Sequence, residues 1–447
     1  MRPPPLIANK QGIDTMQFKT RALAAASVAA LILAGAAGAA RAQDTAAPAA
    51  AAPAAPTTWA GGIKFSGHVE AGATFNPDSP DDGVNFGHLF TDKSNQLVLN
   101  SFALTAERDP DTSSKTVDIG FKIQGAYGTD SRYTQLIGTF NRSLNSRTQF
   151  DLVEAHVDAH LPFLTAGGME VHAGILPTLE GVEVIDPTGN FFYSKSYLFN
   201  FGIPLKYTGI MTETHINPMV DLYLGIDTGV NTFIGSGGGA NDDKVHFHGG
   251  IGLNLGKVTV LATTQIGPED YGYTDPNNPN KPTGTNKNRY LSDAVVTWKI
   301  NDKLTSTTDI NYAYDEGFKA SAGGITEYLT YPISPTVTLG GRGEIWRDDK
   351  NFFVASFPGP NKYNFINFEG GYGPSSPTFL SATNGTYAEF TLGINWKPAG
   401  MPKMIDGLTI RPEFRYDMLL THGFAYDVGT KTHQTTVGID IVAPLTF

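Results

Sequence analysis

The chain has 447 residues, a formal net charge of −11, 17% charged residues, 50 glycines, 11% aromatics and no cysteine. An acidic balance gives no footprint for nucleic acid, and after residue 42 no run approaches the ~18 apolar residues of a membrane-spanning helix. Glycine and aromatics at this level suit many strands with bends, and a chain without thiols suits passage through an oxidising compartment.

Residues 1–15 read as upstream sequence, with translation starting at Met16. Met16, Lys19 and Arg21 precede the apolar run 22–37, and Ala40, Arg41 and Ala42 supply small residues at both cleavage-recognition positions. This is the pattern of a secretory signal, so 1–42 is set apart from the fold. Its loss removes five basic residues and one acid and takes the net charge from −11 to −15. Segment 43–60 is rich in Ala and Pro and reads as an extended periplasmic tether. Pro48, Pro53 and Pro56 argue against a helical trimerisation segment there.

From Gly62 onward the chain alternates with period two. Ile63, Phe65, Val69, Ala71, Ala73 and Phe75 share one face, and Lys64, Ser66, His68, Glu70 and Thr74 the other. The pattern recurs at 96–106, 116–127, 150–161, 169–176, 206–214, 218–228, 245–255, 258–266, 289–300, 304–315, 325–333, 337–347, 386–396, 408–417 and 433–447. Charges on one face of nearly every strand are costly in a dry core and natural in a wet lumen. The connections alternate long and short, and the strand total is even. Residues 61–447 are therefore expected to form an all-β, transmembrane, antiparallel up-and-down β-barrel of about sixteen strands. One strand breaks the rule: Glu327 shares the apolar face with Ile325, Leu329 and Tyr331, which implies a register shift or a protein contact. Tyr207, Tyr290, Tyr312, Tyr314, Trp298, Trp396 and Phe447 lie near strand ends and fit aromatic girdles.

Arg411, Glu413, Arg415 and Asp417 share one strand face, and Arg342 and Glu344 repeat the pattern two strands earlier. Such charges cannot face hydrocarbon and are expected to line the pore. There they either set a transverse field that filters solutes or pair with one another and stiffen the wall. His246 and His248 share a face at ~7 Å with no third ligand in sight, and His156 and His160 are ~13 Å apart, so no metal site is expected. No G-x-S-x-G, P-loop or H-E-x-x-H stands in the chain, and no enzyme or cofactor is expected.

Gly181, Glu183, Asn190, the run Tyr193-Ser194-Lys195-Ser196, Phe199, Pro204, Thr208 and Gly209, with blocks 153–158 and 410–417, resemble the OmpL-like β-barrel porin-2 family across roughly 60–447. The last strand, ending on Phe447, resembles the C-terminal signature that the barrel-assembly machinery reads in outer-membrane proteins. The resemblance implies a porin in the bacterial outer membrane, set in lipid and lipopolysaccharide, passing small hydrophilic solutes. By analogy with general porins, loop 177–205 would fold inward and place Glu180, Glu183, Asp186 and Lys195 at a constriction, and the barrel would form a homotrimer. The alternative is a non-conducting barrel whose long loops, 348–385 above all, serve adhesion or surface recognition.

Overall fold

The structure is a computed structural model that describes residues 58–447 apart from 137–138, 141–143, 145–146, 235–243, 270–273, 276–277, 283–286, 318 and 355–383. The expected leader and all but the end of the tether lie outside the described residues.

The descending and ascending strands are β1 (Lys64–Phe75), β2 (Leu97–Arg108), β3 (Asp118–Gly128), β4 (Gln149–Leu161), β5 (Met169–Pro177), β6 (Lys206–Asn217), β7 (Val220–Asp227), β8 (His246–Asn254) and β9 (Val258–Glu269). A small ribbon, β10 (Thr274–Asp275) and β11 (Asn278–Pro282), follows. Then come β12 (Lys287–Lys299), β13 (Thr305–Asp315), β14 (Ala320–Ser334), β15 (Val337–Asp348), β16 (Gly385–Trp396), β17 (Thr409–Leu419) and β18 (His433–Thr446). All except β10 and β11 form one closed barrel, a ring of sixteen strands. Each pairs antiparallel with its neighbours in sequence, and β18 closes on β1 with Ser66 opposite Thr446 and Phe75 opposite Val437.

Alternation explains the closure. Phe65, Ile119, Val157, Ile226, Ile345, Phe414 and Ile439 are exposed on the outer face, while Glu70, Asp158, Asp227, Glu344, Arg415 and Asp440 are buried inside. The expected strand positions hold throughout; β14 begins five residues earlier than 325. Short turns gather at one rim, where Trp298 and Trp396 stand exposed. Trp59, just ahead of β1, caps the same rim: its ring stacks on Phe121 and its indole N–H donates to the Ile119 carbonyl at 2.8 Å.

Two expectations need correction. Tyr207 is no girdle residue: it is 1% exposed and packs inside with Leu176 and Met211. The phase of β6 puts it on the inner face with Met211 and Glu213. Nor does a register shift explain Glu327. The β13–β14 ladder runs unbroken from Thr305 opposite Thr330 to Asp315 opposite Ala320. The Glu327 carboxylate faces outward and accepts from the Ser306 and Thr308 hydroxyls at 2.5 and 2.6 Å.

The half of the lumen beneath the long loops holds an apolar core. Val84, Phe86, Leu89 and Phe90 from the first loop meet Leu198, Phe199, Phe201, Ile203 and Leu205 from the third. Phe353, Val354, Ala425 and Tyr426 come from later loops, and Leu291, Ala313, Trp346 and Tyr387 from the wall. Loops therefore fold into the barrel because they bury their own apolar side chains there.

Candidate functional site

The connection 178–205 between β5 and β6 runs through the lumen and is held against the inner wall of β15–β18 and β1. Its local folding is set by short polar signals. Asp186 accepts from Thr188 N–H at 2.9 Å and starts the turn Pro187–Gly189. Ser196 accepts from Phe199 N–H at 3.0 Å and caps the one-turn helix Tyr197–Phe201. Glycines on the wall admit the aromatics between these turns. A Cβ on Gly340 would overlap the Phe191 ring, and one on Gly72 would lie 2.6 Å from Tyr193.

Five of the six strand charges singled out in the sequence bond this loop directly, and the sixth, Asp417, supports Arg415. Arg342 donates to Glu389 at 2.6 Å, and to Glu183 and the Ser194 carbonyl at 2.8 Å each. Its guanidinium also lies 5.0 Å from the centre of the Phe192 ring. Glu344 accepts from Tyr197 and Leu198 N–H, both at 2.7 Å, so a carboxylate sits at the helix N-terminus where unpaired N–H groups favour it. Glu413 accepts from Tyr193 and Ser194 N–H at 2.9 and 3.0 Å. Arg411 bonds Asp440 and Glu70 on the wall and the Pro187 and Asn190 carbonyls of the loop. Arg415 bonds Asp417 at 2.6 Å and the Lys195 carbonyl at 2.5 Å. Asp417 also takes His88 Nε2 of the first loop at 2.8 Å. Mutual pairing across the wall and pairing to the loop thus occur together.

The four loop residues have distinct surroundings. Glu183 accepts from Ser196 N–H and Oγ at 2.8 and 2.7 Å besides its pair with Arg342. Burial alone would raise the Asp186 carboxyl, but His68 and the Thr188 bonds outweigh it and hold the group below the usual carboxylate range. Burial lowers the Lys195 ammonium from its ordinary value, against the pull of Glu183 and Glu70. Glu180 stands apart from these pairs, near Asp293 of β12 and Asp227 of β7. It is buried, and neither carboxylate oxygen has a hydrogen-bond partner among the described residues. Burial, with Asp293 and Asp227 nearby, pushes its carboxyl well above the usual range. Beside it Asp293 and Asp309 accept from Gly181 and Val182 N–H at 3.0 and 2.9 Å.

Glu389, Glu70 and His68 are part of the same constellation and were visible only as polar members of alternating strands. His246 and His248 do point inward, where His246 Nε2 meets the Pro268 carbonyl at 3.0 Å and His248 packs on Tyr207. His156 is far from being a lone histidine: His172 of the next strand and Asp158 join it. Same-strand spacing has no way to register a partner across the ladder.

Among comparisons with known proteins, a family model described as "Putative beta-barrel porin-2, OmpL-like" matches residues 62–445. The outer membrane channel DcaP of Acinetobacter baumannii is similar in fold, with a TM-score of 0.53 at 10% identity over 86% of this chain and 97% of that one. The anion-selective porin from Comamonas acidovorans gives a TM-score of 0.53 at 10% identity over 86% and 99%. Pseudomonas putida OprB gives 0.51 at 15% identity over 86% and 94%. A search of curated proteins returns no match.

Proposed function

Because the chain belongs to the putative β-barrel porin-2, OmpL-like family, we propose that it passes small hydrophilic solutes passively across the outer membrane, with loop 178–205 and the inward charges as its filter. The observation that carries this reading is the loop itself, tied inside the lumen by the buried pairs of Arg342, Arg411 and Arg415. A loop fixed in this way narrows a channel without closing the ring. Export by the leader 1–42 and recognition of the terminal strand by the assembly machinery complete the reading.

The filter favours cations. Glu154, Asp158, Glu170, Glu213 and Asp221 stand on the inner wall near the short-turn rim, opposed by Lys122 and by imidazoles. A wall of that sign concentrates cations and repels anions. The test is a planar-bilayer recording under a salt gradient. Stable steps with a cation-side reversal potential support the reading, and an anion-side potential removes the cation filter.

A second reading has its own support. The apolar core beneath the long loops suits a barrel that holds its loops rigid for surface recognition. Persistent silence of folded protein in bilayers would favour it over the channel. The 348–385 loop suspected of this role lies mostly outside the described residues.

Glu327 bears on assembly. A carboxylate with two hydroxyls on the lipid side is costly unless another protein surface covers it. We read it as part of a contact between copies, in keeping with a homotrimer. A heat-sensitive oligomer on detergent gels, lost in Glu327→Lys, is the expected result; a monomer in both forms would remove the idea.

A further inference from the structure

The inner wall of β4–β7 near the short-turn rim carries a row of histidines and carboxylates that the filter above does not require as ligands. Asp158 lies opposite His172 across the β4–β5 ladder. His156 Nδ1 and His172 Nδ1 both approach Asp158 Oδ1, at 2.8 and 2.6 Å. Ligand atoms of these three residues lie within 4.8 Å of one another. The row continues: Glu170, His172 and Glu213 form a second such set, and Glu213, His215 and Asp221 a third.

We propose that this wall binds a divalent transition-metal ion, held by His156, Asp158 and His172, at the periplasmic mouth of the barrel. Two imidazole nitrogens with one carboxylate oxygen are the donor set of zinc and its neighbours, not of calcium or magnesium. Without an ion, two rings must both offer Nδ1–H to one oxygen. With an ion, the same atoms converge as lone-pair donors on neutral imidazoles. The outer shell is also in place. His156 Nε2 meets Glu154 Oε2 at 3.2 Å, and Glu154 is held by Lys122 Nζ at 2.8 Å. A carboxylate on the far nitrogen orients a ligating ring and raises its basicity.

A separate observation points the same way. Glu170 and Glu213 face each other directly across the β5–β6 ladder. Like charges in that position are destabilising, and the repulsion is offset by His215, 3.5 Å from Glu170 and 3.9 Å from Glu213, or by a bound cation. Asp158 is buried and His156 nearly so, but His172 is open to the lumen at 28%. An ion can therefore enter from solution and keep water on its free positions. His172 and Glu213 each belong to two sets, so an ion leaving one meets the next along the wall. None of this depends on whether the barrel conducts.

The test uses the full mature barrel, purified without a histidine tag and stripped with chelator. Zinc is titrated by calorimetry and cobalt by visible absorption. The expected result is saturable binding, with cobalt bands of a nitrogen–oxygen site, abolished in His156→Ala/His172→Ala and weakened ~10- to 100-fold in Glu154→Gln. His246→Ala, elsewhere in the lumen, should bind as the parent does. Absence of saturable binding, or equal binding by the double variant, overturns the proposal. Should the double variant fail to fold, histidine modification of the unaltered protein decides: zinc should protect His156 and His172, and equal modification with and without zinc overturns the site.

Discussion

Removing Arg342 should release the inward loop. The guanidinium is fully buried and bonds Glu389 on the wall and Glu183 and the Ser194 carbonyl on the loop. Deleting one partner of a buried ion pair costs ~3–5 kcal/mol, because the other charge is left uncompensated. A charge-assisted bond accounts for ~1.5–3 kcal/mol of such a loss. The Arg342 guanidinium also reaches the hydroxyls of Ser194 and Thr391, so three of its five acceptors belong to the loop and about 2–3 kcal/mol of the loss falls on docking. That raises the undocked population by roughly 30- to 150-fold. Salt should not mask the effect, since buried pairs are poorly screened. Single-channel recording of Arg342→Ala should show larger or more frequent high-conductance excursions. Arg347→Ala is the control on the same strand, where the side chain is exposed and bonds Asn384 and Thr386. If Arg342→Ala matched the control in conductance and in the heat needed to unfold the barrel, the loop-anchor argument would be refuted.

Arg411→Ala and Arg415→Ala should each change conductance and ion selectivity, because the first frees two loop carbonyls with Asp440 and Glu70 and the second frees the Lys195 carbonyl with Asp417; recordings unchanged in both would remove their role in the filter. Glu180→Gln should stabilise the barrel at neutral pH. Burial raises the folded-state pKa of Glu180 above its unfolded value, so its contribution is fully present below the unfolded value and lost as pH rises through the folded one. Heat-modifiability on gels should therefore fall less steeply with pH in Glu180→Gln, and identical profiles would count against it. Leu198→Ala should cost ~2–5 kcal/mol, since the side chain is fully buried in the core within the lumen; an unchanged denaturation midpoint would mean that this core contributes little. Gly340→Ala should displace Phe191 and loosen the loop, visible as faster proteolysis within 184–198, and unchanged cleavage would speak against the close fit.

Strand positions, face assignment and closure were legible in the sequence because a barrel wall is built from local rules. A period of two sends Ile439 outward and Asp440 inward whatever else the chain does. The same rule marked Arg342, Glu344, Arg411, Glu413, Arg415 and Asp417 as inward. Tyr207 was assigned to a girdle from its place near a strand end although its phase with Met211 points inward, and the rule left two explanations for Glu327 that only the intact ladder separates. What the inward charges bind is a different matter. Arg411 meets Asn190 across 221 positions of chain, and Glu413 meets Tyr193 across 220. The metal-ligand row has the same origin: His156 and His172 are neighbours only because β4 and β5 pair in one register. Side-chain direction along a strand follows from the backbone alone, so sequence determines it. The partner of a buried charge depends on which distant loop and which adjacent strand arrive beside it, and that is decided by the closed tertiary structure.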